Sequence, residues 1–397
     1  METLYTTYQT KLRKTSTDII RYLLHDIDWS DRMISITGAR GCGKTTLLLQ
    51  HIKLNHYKDN NCLYISLDNI YFIQNSLSEF VEQFVNKGGK YLFIDEVHKY
   101  PHWSLELKNI YDIYDELYIV FTGSSILEIY KSEADLSRRA VNYELEGLSF
   151  REFLVFEKGI EFPVYSLDDV LKRHVDISHE VCSKIKPLAE FPNYIEYGYF
   201  PFYKENKNSY LQKLNNTINL SLEVDLMAVH QLDYSSIIKL KKLVYILAQN
   251  APYKANITTL AAQIESSRTS VLAFLNMLER AKIFSLLKTG SKSDGYLTKP
   301  EKIYLGNTNF AYALVNKNIE IGNMRETFFI NQVQAKHTIT YPKEGDFLID
   351  GTYTIEVGGK NKTFNQIKSV KNSYIASDDV EYGNGHKIPL WMFGLLY

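Results

Sequence analysis

At 397 residues, with an apolar fraction of 45%, the chain has material for two to four domains and for substantial cores. Lys plus Arg number 45 against 46 Asp plus Glu, a net charge of −1, which excludes a nucleic-acid binder driven by bulk charge and leaves only a local basic face. Cys42, Cys62 and Cys182 make no CxxC pair or disulfide framework, no apolar run approaches a membrane span and the N-terminus has no signal-peptide core, so the expected setting is cytoplasmic, without membrane partners.

Residues 1–30 predict helix, with Ile19, Ile20, Leu23 and Leu24 on one face and Asp28-Trp29-Ser30 as its end. From Met33 to Gln50 a run of apolar β-formers meets a glycine-rich loop and then a helix-forming run. Gly38-Ala39-Arg40-Gly41-Cys42-Gly43-Lys44-Thr45 satisfies G-x-x-x-x-G-K-[ST]. Glycines let successive N–H groups turn inward to phosphate oxygens, and the helix start adds its positive dipole end. Lys44 would reach the β- and γ-phosphates and Thr45 would hold Mg²⁺. The expected nucleotide-binding set is Gly38, Ala39, Arg40, Gly41, Cys42, Gly43, Lys44, Thr45 and Thr46, with ATP and Mg²⁺ as ligands.

A second strand is expected at Cys62–Leu67, with Asp68-Asn69 at its end. Tyr91–Glu96 is the third: an apolar strand that delivers Asp95 to Mg²⁺ and Glu96 as the base for an attacking water. His98 and His102 have no partners at metal-ligand spacing. Leu117–Phe121 opens into Thr122-Gly123-Ser124-Ser125, where a hydroxyl could meet the γ-phosphate or the water. Ser124 is the first choice, ahead of Ser125 and Thr122; a turn with Ser125 as helix cap is the structural alternative. In DLSRRA, Arg139 is the candidate to reach a γ-phosphate, with a surface arginine as the alternative.

The stretches GARGCGKTTLLLQ, FIDEVHKYPHWSLELKNIY, IVFTGSSILEI, SRRA and LEGLSFREFL are joined downstream by YGYFP, a helix-turn-helix stretch, and RETFF, EGDFLID and IEVGGKNKTF. Together they resemble the AAA-type ATP-binding proteins of bacteria and archaea that end in a domain of unknown function related to restriction nucleases. The resemblance spans most of the chain from about Ile19 onward. It implies Lys44, Thr45, Asp95 and Glu96 as nucleotide and hydrolysis residues.

Leu148–Phe153 closes the core and opens a helical stretch with a turn at Gly198–Pro201. Ile237, Leu240, Val244 and Leu247 recur at core spacing. Asn256–Phe284 reads as a helix-turn-helix, with Ser266 or Ser267 capping its second helix and Glu265 where such turns usually carry glycine. Ile283–Leu287 and Lys302–Leu305 would be the wing. Arg268 is its one early cation, so DNA contact and a structural lid both stay open. From about Gly322 a helix, two strands, a helix and a strand are expected, with Glu326, Asp346 and Glu356 spaced as in the PD-(D/E)xK nuclease core. Gly358 stands where that motif has lysine, and Lys360 lies further along the same face. Ile388–Tyr397 reads as a buried strand.

The expected architecture is α/β: an AAA-like P-loop NTPase with a parallel-sheet core at 1–155, a helical region at 156–250, a winged helix-turn-helix at 251–310 and a degenerate restriction-nuclease-like α/β domain at 311–397. The expected function is a Mg²⁺-dependent ATPase acting as a switch or remodeller, with a protein partner at the C-terminal domain. An ATP-gated nuclease and a nucleotide-stabilised interaction or DNA-binding protein without turnover are the alternatives.

Overall fold

The computed structural model describes residues 2–124, 136–227, 232–290, 298–315 and 319–397; Ser125 lies outside them. Two compact units emerge, one of residues 1–147 and 224–231, the other of residues 148–223 and 232–397.

In the first unit, five strands of mostly β-branched, aromatic and leucine residues form a sheet: β1 Met33–Thr37, β2 Cys62–Ser66, β3 Tyr91–Asp95, β4 Tyr118–Thr122 and β5 Val141–Glu144. Their order is β2-β3-β4-β1-β5, every pair parallel. Parallel strands need crossovers, and helices Lys44–Asn55, Leu77–Asn86 and Trp103–Ile113 supply them. Both faces are therefore covered, which is why all five residues of β1 are buried. Because every strand runs the same way, Thr37, Asp95 and Thr122 end at one edge, where open α/β sheets bind ligands.

The expected helix over residues 1–30 is broken. Glu2–Lys14 is helical and Leu23–Asp26 adds one turn. Between them the Ser16 hydroxyl donates to Asp18 and accepts from the Asp18 amide, giving the backbone a local alternative to the helix.

The second unit contains the helical middle, the helix-turn-helix and the C-terminal sheet together, so three segments expected as separate domains share one unit. The expected boundary at residue 155 falls inside helix Phe150–Lys158, which a Ser149–Glu152 capping box starts. Asn309 is fully buried in this unit. Its carbonyl oxygen accepts from the Tyr199 amide and the Tyr210 hydroxyl, and its amide donates to the Tyr194 and Ile195 carbonyls, all within 3.1 Å. The turn at YGYFP is thereby fixed from a residue more than a hundred positions away.

Helices Ile257–Gln263 and Arg268–Arg280 flank a turn in which Glu265 takes φ +53°, the left-handed position expected for glycine. Ser267, not Ser266, caps the second helix by accepting from Ser270 N. Then β7 Phe284–Leu287 and β8 Lys302–Leu305 pair antiparallel, and β6 Tyr253–Lys254 joins the free side of β8. The last sheet runs β13-β12-β11-β10-β9, built from Ile339–Thr340, Phe347–Ile349, Tyr353–Gly358, Ser373–Ser377 and Lys387–Pro389 in chain order. Two expectations fail here. The second helix is only a 3₁₀ turn at Phe364–Gln366, and Ile388–Tyr397, although buried, leaves the sheet at Pro389 and winds as a 3₁₀ helix over Leu390–Leu395. Proline removes a ladder donor, so the strand stops there.

Candidate nucleotide site

The loop after β1 is shaped by two glycines. A Cβ on Gly38 would lie 2.4 Å from the Leu145 carbonyl oxygen, so only glycine lets the loop pass the end of β5. Gly43 has φ +107° and starts helix Lys44–Asn55 without any side-chain cap. The first amides of that helix therefore remain available to an anion, and Ala39, Gly41 and Thr46 lend the loop backbone rather than a charged group. Lys44 folds back, its Nζ donating to the carbonyls of Gly38 (2.8 Å) and Ala39 (3.0 Å). The Cys42 thiol is buried and burial pushes it up, so it fills space rather than reacts. Its carbonyl accepts from Arg21 Nη1 at 2.7 Å, while Arg21 Nη2 donates to the carbonyls of Glu146 and Gly147. This buried guanidinium clamps the loop to the segment beyond β5.

β1 and β3 flank β4, so Thr45, Asp95 and Thr122 converge at one edge. Asp95 Oδ2 accepts from Thr45 Oγ1 at 2.7 Å and from the Tyr64 hydroxyl at 2.8 Å. Asp95 Oδ1 accepts from Thr122 Oγ1, and that hydroxyl also takes the Glu96 amide at 3.2 Å. Thr122, an alternative at the sequence level, is thus the β4 hydroxyl that holds the Asp95 carboxylate and the Glu96 backbone. Ser124 is buried just beyond β4. Glu96 itself has φ +56°, a conformation costing about 1–3 kcal/mol that clusters at functional sites. The turn aims its half-buried side chain toward His98, whose Nε2 lies 3.3 Å from Glu96 Oε2.

Asp95 and Thr45 suit Mg²⁺, which uses one or two protein oxygens and completes its shell with water and phosphate. No set of three or more His, Cys, Asp or Glu side chains grouped as metal ligands occurs among the described residues. Arg139 is bidentate to Asp112, at 2.8 and 2.9 Å.

Arg40 points to a residue without any motif. It is bidentate to Asp225, at 2.7 and 3.1 Å, and Lys99 Nζ adds a third contact at 3.1 Å. Asp225, His98, Tyr64 and Arg21 were not legible as site residues. Tyr64 had a faint signal, a hydroxyl inside an otherwise apolar strand; Asp225 had none, standing 185 positions from Arg40.

In the second unit, Glu326 accepts from the Tyr304 hydroxyl (2.7 Å) and from Lys302 (3.2 Å), which lies 3.8 Å from Asp346. Lys360 does not serve Glu356: it pairs with Asp379, because the chain turns after Gly358, and Lys362 reaches Glu356 instead. These carboxylates are thus held by lysines and a tyrosine.

Residues 30–154 match the family model of an AAA domain, and residues 188–320 match a domain of unknown function (DUF8612). The second match covers the helical middle and the helix-turn-helix and ends where the C-terminal segment begins. Among curated proteins, the chain is 25% identical to the uncharacterized protein MJ1637 of Methanocaldococcus jannaschii, over 96% of this chain and 87% of the relative. It is 27% identical to MJ1544 of the same organism, over 80% and 71%. Among solved structures it is similar to Thermotoga maritima RuvB (16% identity, 73% of this chain and 88% of that one, TM-score 0.33). AMPPCP-bound DnaA from Aquifex aeolicus aligns at 16% identity over 65% and 85%, with a TM-score of 0.26. With its glycine loop, its parallel sheet order and its matched segment, the first unit of this chain is an AAA-type P-loop domain.

Proposed function

We propose that the first unit binds ATP with Mg²⁺ and hydrolyses it, and that the cycle serves as a switch or remodelling step acting through the second unit. The observation that carries this is the convergence of Thr45, Thr122 and Tyr64 on Asp95 beside the left-handed Glu96. Lys44 leaves the Gly38 and Ala39 carbonyls for the β- and γ-phosphates. Thr45 and Asp95 would hold Mg²⁺, which when bound would supply Lewis-acid stabilisation of charge on the phosphate oxygens. Glu96 accepts the proton of the attacking water, and Ser124 bonds that water or the γ-phosphate. Arg139 would have to leave Asp112 to reach a phosphate, and its charge would matter mostly in the transition state. The helix-turn-helix and its strand pair we read as a winged helix. Its second helix carries only Arg268 and Arg280 as cations, which favours packing over phosphate contact.

Single-turnover hydrolysis beside equilibrium ATP binding is the test. Glu96→Gln keeps shape but loses basicity, so turnover should fall by about 10²–10⁴-fold with ATP still bound. Asp95→Asn should instead raise the Mg²⁺ requirement. Wild-type turnover in Glu96→Gln would remove Glu96 as the base; a wild-type chain that binds ATP without turnover would leave a nucleotide-stabilised interaction protein.

A further inference from the structure

The cluster around Asp225 is larger than a P-loop needs. Asp225 falls in the first unit, although the chain up to Glu223 belongs to the second. The backbone at Ser221–Asp225 is wound as a π-helix, a local form frequent at functional sites. The Asp225 side chain is 1% exposed and meets three nitrogen-bearing side chains: Arg40 from the P-loop, and Lys99 and His98 from the turn after β3. Burial pushes its carboxyl up, but His98, Arg40 and Lys99 outweigh that and hold it well below the usual carboxylate range. An acid so placed stays charged.

His98 shows what that charge is for. Its side chain is 2% exposed, and Nε2 stands between two carboxylates, 3.3 Å from Glu96 Oε2 and 3.5 Å from Asp225 Oδ1. Neither ring nitrogen closes a hydrogen bond of ordinary geometry among the described residues. Arg40 and Lys99 lie closer to the Asp225 oxygens, at 2.7–3.1 Å, and the His98 ring stands between Asp225 and Glu96. The arrangement also separates charges. After Asp225, Glu96 and Asp68 are the carboxylates that act most on Arg40.

We propose that Asp225 is a positioning residue for hydrolysis: it keeps Arg40 and Lys99 off Glu96 and holds the His98 ring against that base. This rests on the reading of Glu96 as base given above. Without the Asp225 charge, Arg40 turns to the next carboxylate, and Glu96 exchanges its histidine neighbour for a guanidinium that pulls its side chain away from the attacking water. The nucleotide still binds, because the helix start and Lys44 are untouched. The effect therefore falls on the chemical step.

The test measures single-turnover ATP hydrolysis and equilibrium ATP binding with Mg²⁺ on the full chain, for wild type, Asp225→Asn, Asp225→Glu and His98→Ala. Asp225→Asn should lose about tenfold or more in rate while its ATP affinity stays within about threefold, the pattern of a group that acts only in the transition state. Asp225→Glu restores the charge and should recover most of that loss; His98→Ala should fall with Asp225→Asn. A rate in Asp225→Asn equal to wild type overturns the proposal, as does a loss of affinity matching the loss of rate. Should Asp225→Asn fail to fold, a wild-type rate in His98→Ala overturns it alone. A wild type that binds ATP and never hydrolyses it removes the ATPase reading and this inference together, an outcome distinct from equal rates in active proteins.

Discussion

Lys44 has two sets of partners, and their difference measures what the ammonium does. Within the fold it donates to the Gly38 and Ala39 carbonyls, both in the loop that takes the phosphates under the proposed function. Each such bond is worth about 0.5–1.5 kcal/mol net, or more because the donor is charged. A triphosphate offers stronger, charge-assisted bonds in their place. Lys44→Ala should therefore lose measurable ATP binding in calorimetry while the fold survives, since two loop carbonyls can turn to water. A folded Lys44→Ala protein with wild-type affinity would remove the P-loop assignment. Arg21 is a different kind of residue. It holds Cys42, Glu146 and Gly147 through their carbonyls, so it shapes the loop without facing a ligand.

At the scale of elements, helix Lys44–Asn55 must both start at the phosphates and dock on the sheet. Its docking face ends in His51, whose ring stacks on Trp29 with centroids 3.5 Å apart. Burial, with a smaller push from His56, lowers His51 from 6.5 to about 3. The folded state thus refuses a proton that the unfolded state accepts. The stabilisation is complete above pH 6.5 and is lost as pH falls from there toward 3, at up to about 1.4 kcal/mol per pH unit. His51→Phe should flatten that acid limb in urea melts at pH 7.5 and 5.5; equal slopes in both proteins would refute the assignment. The helix itself was readable, since its glycine loop and leucines carry local signals. The break at residues 15–22 was not, because Ser16 and Asp18 compete with the helix through side-chain bonds that periodicity ignores. Strand ends carrying Asp95, Glu96 and Thr122 were readable as edges, but the choice among hydroxyls depended on which strand neighbours which. That order, β4 between β1 and β3, is a tertiary fact. The same holds for Asp225 and Asn309, whose partners lie a hundred or more positions away.

For the whole molecule, two compact units imply two stability ledgers that ligand and mutation can address separately. Under the proposed function, ATP with Mg²⁺ bears on the first. In the second, Asp346 lies at the start of β10 with only 18% of its side chain exposed. Burial, with the Glu326 charge next and Glu356 behind it, raises its carboxyl to about 6, although the Val357 amide donates to it at 2.9 Å. A raised acid binds its proton more tightly folded than unfolded. Its contribution is therefore favourable below pH 3.8, is lost as pH rises through 6, and leaves an ionised, poorly solvated carboxylate at neutral pH. Asp346→Asn keeps an oxygen for the Val357 amide and removes the charge, while Lys302 retains Glu326. Stability of the second unit at pH 7.5 should then rise by about 1–3 kcal/mol, from a shift near two pKa units. Calorimetric melts of wild type and Asp346→Asn at pH 7.5 and 3.5, each with and without ATP and Mg²⁺, measure this. The gain should be present at pH 7.5, vanish at pH 3.5 and be independent of nucleotide. A loss of stability at pH 7.5 would mean that the Asp346 charge is needed where it stands, and would return Glu326, Asp346 and Glu356 to consideration as a working site.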